Sequence, residues 1–250
     1  MSDDIYDETH AALNRLVGRH HNNPLGDAAF PLLRRLARGT GMLQVLDVGS
    51  GRGASSRWWA ARGARVTALE PSPAMRAESG ARAVAEGVAT AIDHAAGGLE
   101  ALDPDRRFDI ALALDVLCYL PDPAGALRTI VDSLAPDGLL CVTDYHGRVQ
   151  RAEVAAVTAA WGIRPPPTFD AFRATLERLP VNVLFHVDTT RQYRAHWRAV
   201  AAALERQTMD AVAIAGTDAV ARFANQVRSI EAAIATGEFG HSWAILEVKP

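Results

Sequence analysis

Short apolar runs and amphipathic segments alternate regularly through the first half of the chain. Runs at 44–48, 65–69, 108–114 and 138–143 predict buried strands, and a weaker strand is expected at 88–93. Amphipathic segments between them predict helices over 54–62, from Ser72-Pro73 to about Gly87, and from Asp122-Pro123 to just before Pro136. Strands that alternate with helices at this spacing predict an α/β fold with a Rossmann-like, doubly wound parallel sheet.

Both ends of the chain depart from this alternation. Two amphipathic helices are predicted at about 5–20 and 25–38, with a break at Asn22-Asn23-Pro24. The tail predicts further elements: helices within 148–179 around Pro165-Pro166-Pro167, a strand at 181–187, helices at 190–206 and 219–235, and a strand at 241–248. We expect one domain made of N-terminal helices, a cofactor-binding core, a lid or substrate region and a final strand: 1–40, 41–146, 147–240 and 241–250.

Composition narrows the class of protein. The chain has 250 residues, of which 49% are hydrophobic, and this share suffices for a full core. Its net charge of −3 offers no basic track for nucleic acid or an anionic membrane. No run approaches the ~20 apolar residues of a membrane span, and Met1–Glu8 shows no signal-like segment, so a cytoplasmic protein is expected. Cys118 and Cys141 form no C-x-x-C pair, so we expect buried thiols and no metal site.

A glycine-rich turn lies between the first two predicted strands and is flanked by two acids. Asp47 stands two residues before Gly49, and Glu70 ends the second strand. This arrangement predicts a βαβ unit with a nucleotide-type site in its first turn. A carboxylate at Asp47 suits an ammonium group and would repel a pyrophosphate, while Glu70 can accept hydrogen bonds from both hydroxyls of a ribose. S-adenosylmethionine meets both conditions.

Two other interpretations of this turn are possible. Gly49, Gly51 and Ala54 also satisfy the looser spacing of dinucleotide-binding turns, which would indicate a nicotinamide-dependent reductase. Asp47 and the order of the later strands argue against that function. An ordinary glycine-rich connector is the second alternative, and it is disfavoured because two acids lie at the ends of successive strands.

Several segments together resemble class I S-adenosylmethionine-dependent methyltransferases. They are the glycine loop Asp47 to Gly53, Leu69-Glu70-Pro71-Ser72, residues 108–123 and Leu134 to Leu140, where Asp137 replaces a usual glycine. The tail over 172–197 and from Gly240 onward resembles small-molecule members of the sarcosine/dimethylglycine and quinone-methylating type. The resemblance implies an antiparallel C-terminal strand, a helical lid, and methyl transfer to an amine or hydroxyl of a small molecule.

The resemblance also implies which residues hold the methyl donor. Asp47 would bind its ammonium group, directly or through water, and Glu70 its ribose. Many relatives have an aspartate after the third strand, which this chain lacks, so backbone groups around 97–99 would bind adenine. The expected cofactor-binding residues are Asp47, Gly49, Ser50, Gly51, Gly53, Glu70, Pro71, Met75, Gly97, Gly98, Leu99, Asp115 and Val116.

The acceptor side is less clearly marked in the sequence. An amine or hydroxyl nucleophile must lose a proton, and the candidates for that role are His146, His196 and Tyr119. Each has a simpler interpretation as a surface or packed side chain, and Tyr119 could be a pocket wall. The expected substrate-binding residues are Asp144, Tyr145, Arg191, Arg194 and Trp197, where Trp197 stands in place of a common tyrosine.

Other methyltransferase classes fit the sequence poorly. A nucleic-acid enzyme would show an Asn-Pro-Pro-aromatic tetrad where this chain has Asp115-Val116-Leu117-Cys118, and the paired glutamates of protein-arginine enzymes are missing. We therefore expect a small-molecule partner, no nucleic acid or membrane partner, and a monomer or homodimer. A catalytically silent, methyltransferase-like binding protein stays an alternative, and the sequence does not name the acceptor.

Overall fold

The computed structural model describes residues 8–17, 26–38 and 41–249. Within them one sheet contains seven strands: β1 Gln44–Val48, β2 Arg65–Glu70, β3 Ile92–Ala96, β4 Phe108–Leu114, β5 Leu134–Gly147, β6 Val181–Asp188 and β7 Phe239–Val248. Their order is β3-β2-β1-β4-β5-β7-β6. The first five strands run parallel, and β7 lies antiparallel to both β5 and β6. The expected Rossmann-like class and the antiparallel C-terminal strand are confirmed.

The helices of the described residues lie between and after these strands. They are α1 Glu8–Leu16, α2 Phe30–Leu36, α3 Ala54–Ala60, α4 Pro73–Ala85, α5 Pro123–Asp132, α6 Ala152–Trp161, α7 Phe169–Glu177, α8 Thr190–Arg206, α9 Thr208–Ala215 and α10 Thr217–Ala235. The side chains of Ser72, Asp122 and Thr168 cap α4, α5 and α7 by accepting a backbone N–H three residues further on.

Two strands and one helix differ most from the sequence-based expectation. The third strand was expected at 88–93 but spans 92–96, because a 3-10 turn over Ala89–Ala91 precedes it and small alanines carry its second half. The fifth strand extends at both ends, from 138–143 to 134–147. The tail contains the separate helix α9, which was not predicted and ends at Gly216 with a φ of 78°. The expected break at Asn22-Asn23-Pro24 lies outside the described residues.

Side chains of neighbouring strand residues enter different cores because they point to opposite faces of the sheet. Val45 and Ile110 pack with α2 and α3, whereas Leu46 and Leu140 pack with α5 and α7. A third core lies among five helices and Tyr145 at the end of β5. We call these helices, α1, α6, α8, α9 and α10, the helical layer. The expected lid region therefore divides, because α7 and β6 extend the sheet and its core while the other helices build the helical layer.

Candidate active site

The three glycines that follow β1 all have positive φ angles. These angles are 66° at Gly49, 55° at Gly51 and 71° at Gly53. A Cβ atom at Gly49 would lie 2.5 Å from Cγ2 of Val116, and one at Gly53 would overlap the hydroxyl of Ser79. A Cβ at Gly51 would meet only the Met75 sulfur, at 3.8 Å. The first and third glycines thus permit close packing, and the second leaves space above the loop.

The carboxylate of Glu70 is fixed at the end of β2 by two backbone amides. The amide of Gly51 donates to Oε2 and the amide of Ser72 donates to Oε1, both at 2.8 Å. Burial raises the pKa of Glu70, and these two hydrogen bonds and Arg76 act in the opposite direction. Each carboxylate oxygen keeps a further acceptor site, so Glu70 can also bind a pair of ligand hydroxyls.

Asp47 lies beneath the same loop and is only 2% exposed. Ser56 on α3 donates a hydrogen bond to its Oδ2 at 2.6 Å. Burial raises the pKa of Asp47 to about 6, the Ser56 hydrogen bond lowers it, and the charge of Glu70 raises it. Both acids of the loop are therefore costly to ionise, and a cationic ligand would offset that cost.

The loop after β3 contains a functional candidate that sequence reasoning missed. Glu100 accepts a hydrogen bond from the amide of Gly98 at 2.7 Å, and this bond lowers its pKa. The amide of Gly97 donates to the main-chain oxygen of Glu70 at 3.4 Å, which ties this loop to β2. The Gly98 amide expected to bind adenine is therefore already used by Glu100. An acid directly after two glycines and a leucine was the available signal.

A buried, hydrogen-bonded pair of side chains, Asp115 and His241, lies beyond the donor loop, where β4, β5 and β7 meet. Nε2 of His241 lies 2.8 Å from Oδ1 of Asp115, and the hydroxyl of Thr143 donates to the same oxygen at 2.7 Å. Nδ1 of His241 lies 2.7 Å from the hydroxyl of Thr189. His241 is 0% exposed, and Asp115 has a positive φ of 55°. Thr143 and His241 thus fix the Asp115 carboxylate directly, and Thr189 does so through His241.

Aromatic rings surround this pair. The ring of Tyr193 stacks on His241 with centroids 4.9 Å apart, and Tyr145 meets the imidazole edge-on at 5.9 Å. Burial and neighbouring polar groups hold the pKa of Tyr145 well above its usual value, so its phenol stays protonated. His241 was not among the predicted site residues. The available signal was one histidine in a final strand that is otherwise mainly apolar or small.

Asp144 connects the end of β5 to the turn that follows β4. Its carboxylate accepts hydrogen bonds from the amides of Cys118 at 2.9 Å and Tyr145 at 2.7 Å. Burial, followed by the charge of Asp115, raises the pKa of Asp144 to about 7. The expected substrate-binding role of Asp144 stays a prediction, since its oxygens here bind backbone amides.

The two histidines proposed as proton acceptors lie in other surroundings. Nε2 of His146 is 3.3 Å from Asp188, its ring meets Phe169 edge-on at 5.3 Å, and burial lowers its pKa. His196 is half-buried on α8 with its ring 5.5 Å from that of Trp197. Tyr119 ends the short helical turn after Asp115. Catalytic roles for these three residues stay predictions.

The expected substrate contacts from α8 are distributed over both of its faces. Arg191 and Arg194 are exposed, while Trp197 is 0% exposed and packs edge-on against Trp161 at 5.2 Å. Direct contact between Trp197 and a substrate would require movement of the helical layer. Around the donor loop, Ser50 and Leu99 are half-buried, Met75 is buried and Pro71 is exposed.

Comparison with known sequences places the chain in a family. The methyltransferase domain family matches residues 12–200. A ubiquinone biosynthesis O-methyltransferase of Bradyrhizobium diazoefficiens is 32% identical over 158 residues, which are 60% of this chain and 62% of that protein. The match therefore spans less than two thirds of the relative's length.

Solved structures show the same fold at lower identity. Phosphoethanolamine N-methyltransferase 2 of Haemonchus contortus, in complex with S-adenosylhomocysteine, superposes with a TM-score of 0.85 at 18% identity over 99% of this chain and 58% of its own. The cyclase SpnF gives 0.77 at 22% identity over 98% and 94%. In the described part of the chain, no helix combines the length and apolarity needed to cross a membrane. This chain therefore belongs to the methyltransferase domain family and has the class I S-adenosylmethionine-dependent methyltransferase fold that its sequence predicts.

Proposed function

We propose that this protein transfers a methyl group from S-adenosylmethionine to a hydroxyl oxygen of a small molecule. The observation that carries the proposal is the Glu70 carboxylate, which the Gly51 and Ser72 amides orient at the carboxyl edge of the sheet. The hydroxyl acceptor is supported by the relatives named as ubiquinone biosynthesis O-methyltransferases. An amine acceptor, also expected from the sequence, is a second outcome of the test below.

The residues around the glycine loop fit this donor in shape. Glu70 offers two oxygens to the ribose hydroxyls, and the open space above Gly51 lies next to the Met75 sulfur. The hydroxyl oxygen of Ser50 is buried and has no hydrogen-bond partner among the described residues. A buried hydroxyl of this kind is satisfied when a polar ligand group reaches it.

Charge favours the same donor over a dinucleotide. Asp47 and Glu70 are both buried, and the charge of Glu70 raises the cost of ionising Asp47. A sulfonium and an ammonium group would lower that cost, whereas a pyrophosphate would add to it. We therefore infer that Asp47 and Glu70 select a cationic donor.

The residues of the protein have two tasks in the reaction. When bound, S-adenosylmethionine supplies an electrophilic methyl carbon. The glycine loop and Glu70 would hold the donor, while Val116, packed against Gly49, sets the position of the β4 turn next to that loop. Asp115 directly precedes Val116, so we propose that its carboxylate orients the acceptor hydroxyl by accepting its hydrogen bond and takes the proton that this hydroxyl releases when its oxygen is methylated. His241 and Thr143 fix that carboxylate.

The donor half of the proposal is tested by calorimetric titration with S-adenosylhomocysteine and, separately, with NADH. We expect micromolar binding of S-adenosylhomocysteine and no binding of NADH. Asp47→Asn removes one negative charge but leaves an oxygen that can accept from Ser56, and it should weaken binding about tenfold. Asp170→Asn, at an exposed position in the first turn of α7, is the matched control. NADH binding would overturn the donor assignment.

The acceptor half is tested with methyl-labelled S-adenosylmethionine and two panels of small molecules, phenols and catechols in one and primary to tertiary amines in the other. Transfer of label to the hydroxyl panel alone is expected. Transfer to amines alone would overturn the hydroxyl assignment while leaving the donor site intact. Donor binding without transfer to either panel would support the silent binding protein instead.

A further inference from the structure

We propose that a cavity at the amino-terminal edge of the sheet binds a phosphate group. The cavity has a volume of about 190 Å³ and lies among α2, the end of α3 and the residues that lead into β1 and β2, including Gly41 and Gly63. The glycine loop follows the opposite end of β1. Since β1 has five residues, the two places are roughly 16 Å apart along the strand. This site is therefore independent of the proposed methyl transfer.

Two guanidinium groups give the cavity its positive charge. Arg34 on α2 and Arg62 after α3 line it, and none of the described residues that line it is acidic. Arg34 has no hydrogen bond or ion pair with any other described residue. Arg38, which follows α2 one turn after Arg34, does form ion pairs: its guanidinium lies 3.6 Å from Asp137 and 3.2 Å from Glu247. The acids of this region thus neutralise Arg38 and leave the cavity positive.

Arg62 is held in place before any ligand arrives. Its guanidinium carbon lies 3.8 Å from the centroid of the Trp58 ring, and Nη1 donates to the main-chain oxygen of Trp58 at 3.0 Å. The remaining N–H groups of the guanidinium are left for an acceptor. Fixed guanidinium groups suit the oxygens of a phosphate because several N–H donors point in one plane.

An indole N–H provides the second, independent indication of a ligand. Trp59 lines the same cavity and is 1% exposed, and its Nε1 is buried with no acceptor among the described residues. A buried N–H without an acceptor is rare in folded proteins and calls for a partner such as an ion. A phosphate oxygen that reaches this N–H from the cavity would satisfy it. Two guanidinium groups and one indole N–H together form a donor set for a dianion.

The experiment compares phosphate with chloride at equal ionic strength, by calorimetry and by the thermal midpoint. We expect inorganic phosphate to bind in the millimolar range and to raise the midpoint. Glycerol phosphate in a parallel titration distinguishes a phosphate ester from the free ion as the better ligand. Arg34→Gln and Arg62→Gln should each weaken binding about tenfold, while Arg35→Gln, the adjacent exposed arginine on α2, should leave it unchanged.

Two further variants separate binding from loss of folding. Trp59→Phe removes the N–H together with part of the buried ring system, so it should weaken phosphate binding about threefold and also lower stability. Gly41→Leu places a side chain where a Cβ meets nothing within 4 Å, and it should abolish binding by filling the cavity. Binding of S-adenosylhomocysteine by each variant reports that the fold is intact. An equal response to phosphate and chloride, or the same phosphate response in Arg34→Gln as in the natural protein, would overturn the proposal.

Discussion

The donor loop and the Asp115–His241 pair lie next to each other but are built in opposite ways. Glu70 binds the Gly51 amide 19 residues away, and Asp47 binds Ser56 nine residues away. The Asp115–His241 contact joins residues 126 positions apart. The donor loop is therefore specified within one βαβ unit, whereas the pair exists only after the last strand has joined the sheet.

This difference matters for how each region responds to change. The donor loop is made of backbone amides and glycines, and its two acids, Asp47 and Glu70, are buried but held by bonds from a short stretch of chain. The pair is made only of side chains, which are equally buried but come from distant parts of the chain. A substitution in the loop should change ligand affinity more than stability, and a substitution in the pair should do the reverse.

The largest effect is expected at the Asp115–His241 pair. His241→Phe keeps a ring against Tyr193 but leaves the Asp115 carboxylate buried with one donor fewer, which should lower the free energy of unfolding by about 3–5 kcal/mol. Urea denaturation measures this loss. Affinity for S-adenosylhomocysteine should change by less than about threefold. If folded His241→Phe protein no longer bound S-adenosylhomocysteine, the conclusion that the pair acts on stability and not on donor affinity would be wrong.

A double-mutant cycle with Asp115→Asn isolates the coupling, because asparagine tolerates the positive φ at this position. The double variant should be more stable than the sum of the single losses indicates. His94→Phe is the matched control, since it removes a 2.8 Å partner from the buried Ser79 hydroxyl but leaves no buried charge, and it should cost only about 1 kcal/mol. If the stability losses of the two single variants simply added up in the double variant, the proposed interaction between Asp115 and His241 would be contradicted.

The next effect is expected at Glu70 and concerns affinity. Glu70→Gln has one oxygen for two amide donors and turns an NH₂ group toward the other amide, so it loses both a charge and a hydrogen bond. Binding of S-adenosylhomocysteine should weaken about 10- to 100-fold. Calorimetry measures this change, and Glu153→Gln, at an exposed position on α6, is the control. Equal affinity of Glu70→Gln and the natural protein would remove Glu70 from the donor site.

The sequence predicted most of the fold because its signals are local. Buried runs gave the strands near their observed bounds, and Ser72-Pro73 and Asp122-Pro123 correctly placed two helix starts. The third strand was displaced because Ala95 and Ala96 carry little hydrophobic signal. Its position follows from pairing with β2, in which Glu70 lies opposite Ala96. This register is set by the pairing of the two strands in the folded sheet and not by the local sequence of β3.

The same distinction separates the two halves of the site. Asp47 and Glu70 could be recognised from spacing within one unit, and the structure brings both to the glycine loop. His241 could not be recognised in this way, because nothing near it in the sequence indicates that Asp115 and Thr189 will flank its imidazole. The burial of Trp197 was equally hidden, since it depends on packing against α6. Long-range packing decides what the sequence pattern leaves open.

A smaller effect is expected from the pH dependence of Asp144. Its pKa is raised to about 7 in the folded protein, above the ordinary aspartate value that holds after unfolding. The folded state therefore binds the extra proton, and this stabilisation is fully present at low pH and is lost as pH rises through about 7. The loss is at most ~1.4 kcal/mol per pH unit.

Asp144→Asn cannot take part in this titration. The advantage of the natural protein over Asp144→Asn, measured by thermal unfolding at several pH values, should shrink as pH rises from about 5 to 8. The comparison uses the difference between the two proteins because His146 and His186, whose pKa values are lowered by burial, change stability in the opposite direction in both. A difference that stays constant or grows with pH would contradict the buried, amide-bound carboxylate.

The smallest effect is expected at two helix caps, one next to the donor loop and one outside both regions. The Ser72 hydroxyl accepts from the Met75 amide at 3.4 Å at the start of α4, and the Thr168 hydroxyl accepts from Ala171 at 3.2 Å at the start of α7. Ser72→Ala and Thr168→Ala should each cost about 1 kcal/mol in thermal unfolding. Only Ser72→Ala should also weaken binding of S-adenosylhomocysteine, by about two- to threefold, because the lost hydroxyl bond to Met75 helps to fix the turn whose backbone amide, kept in alanine, holds Glu70. Equal affinities in the two variants would show that the Ser72 hydroxyl plays no part in holding the Glu70 carboxylate.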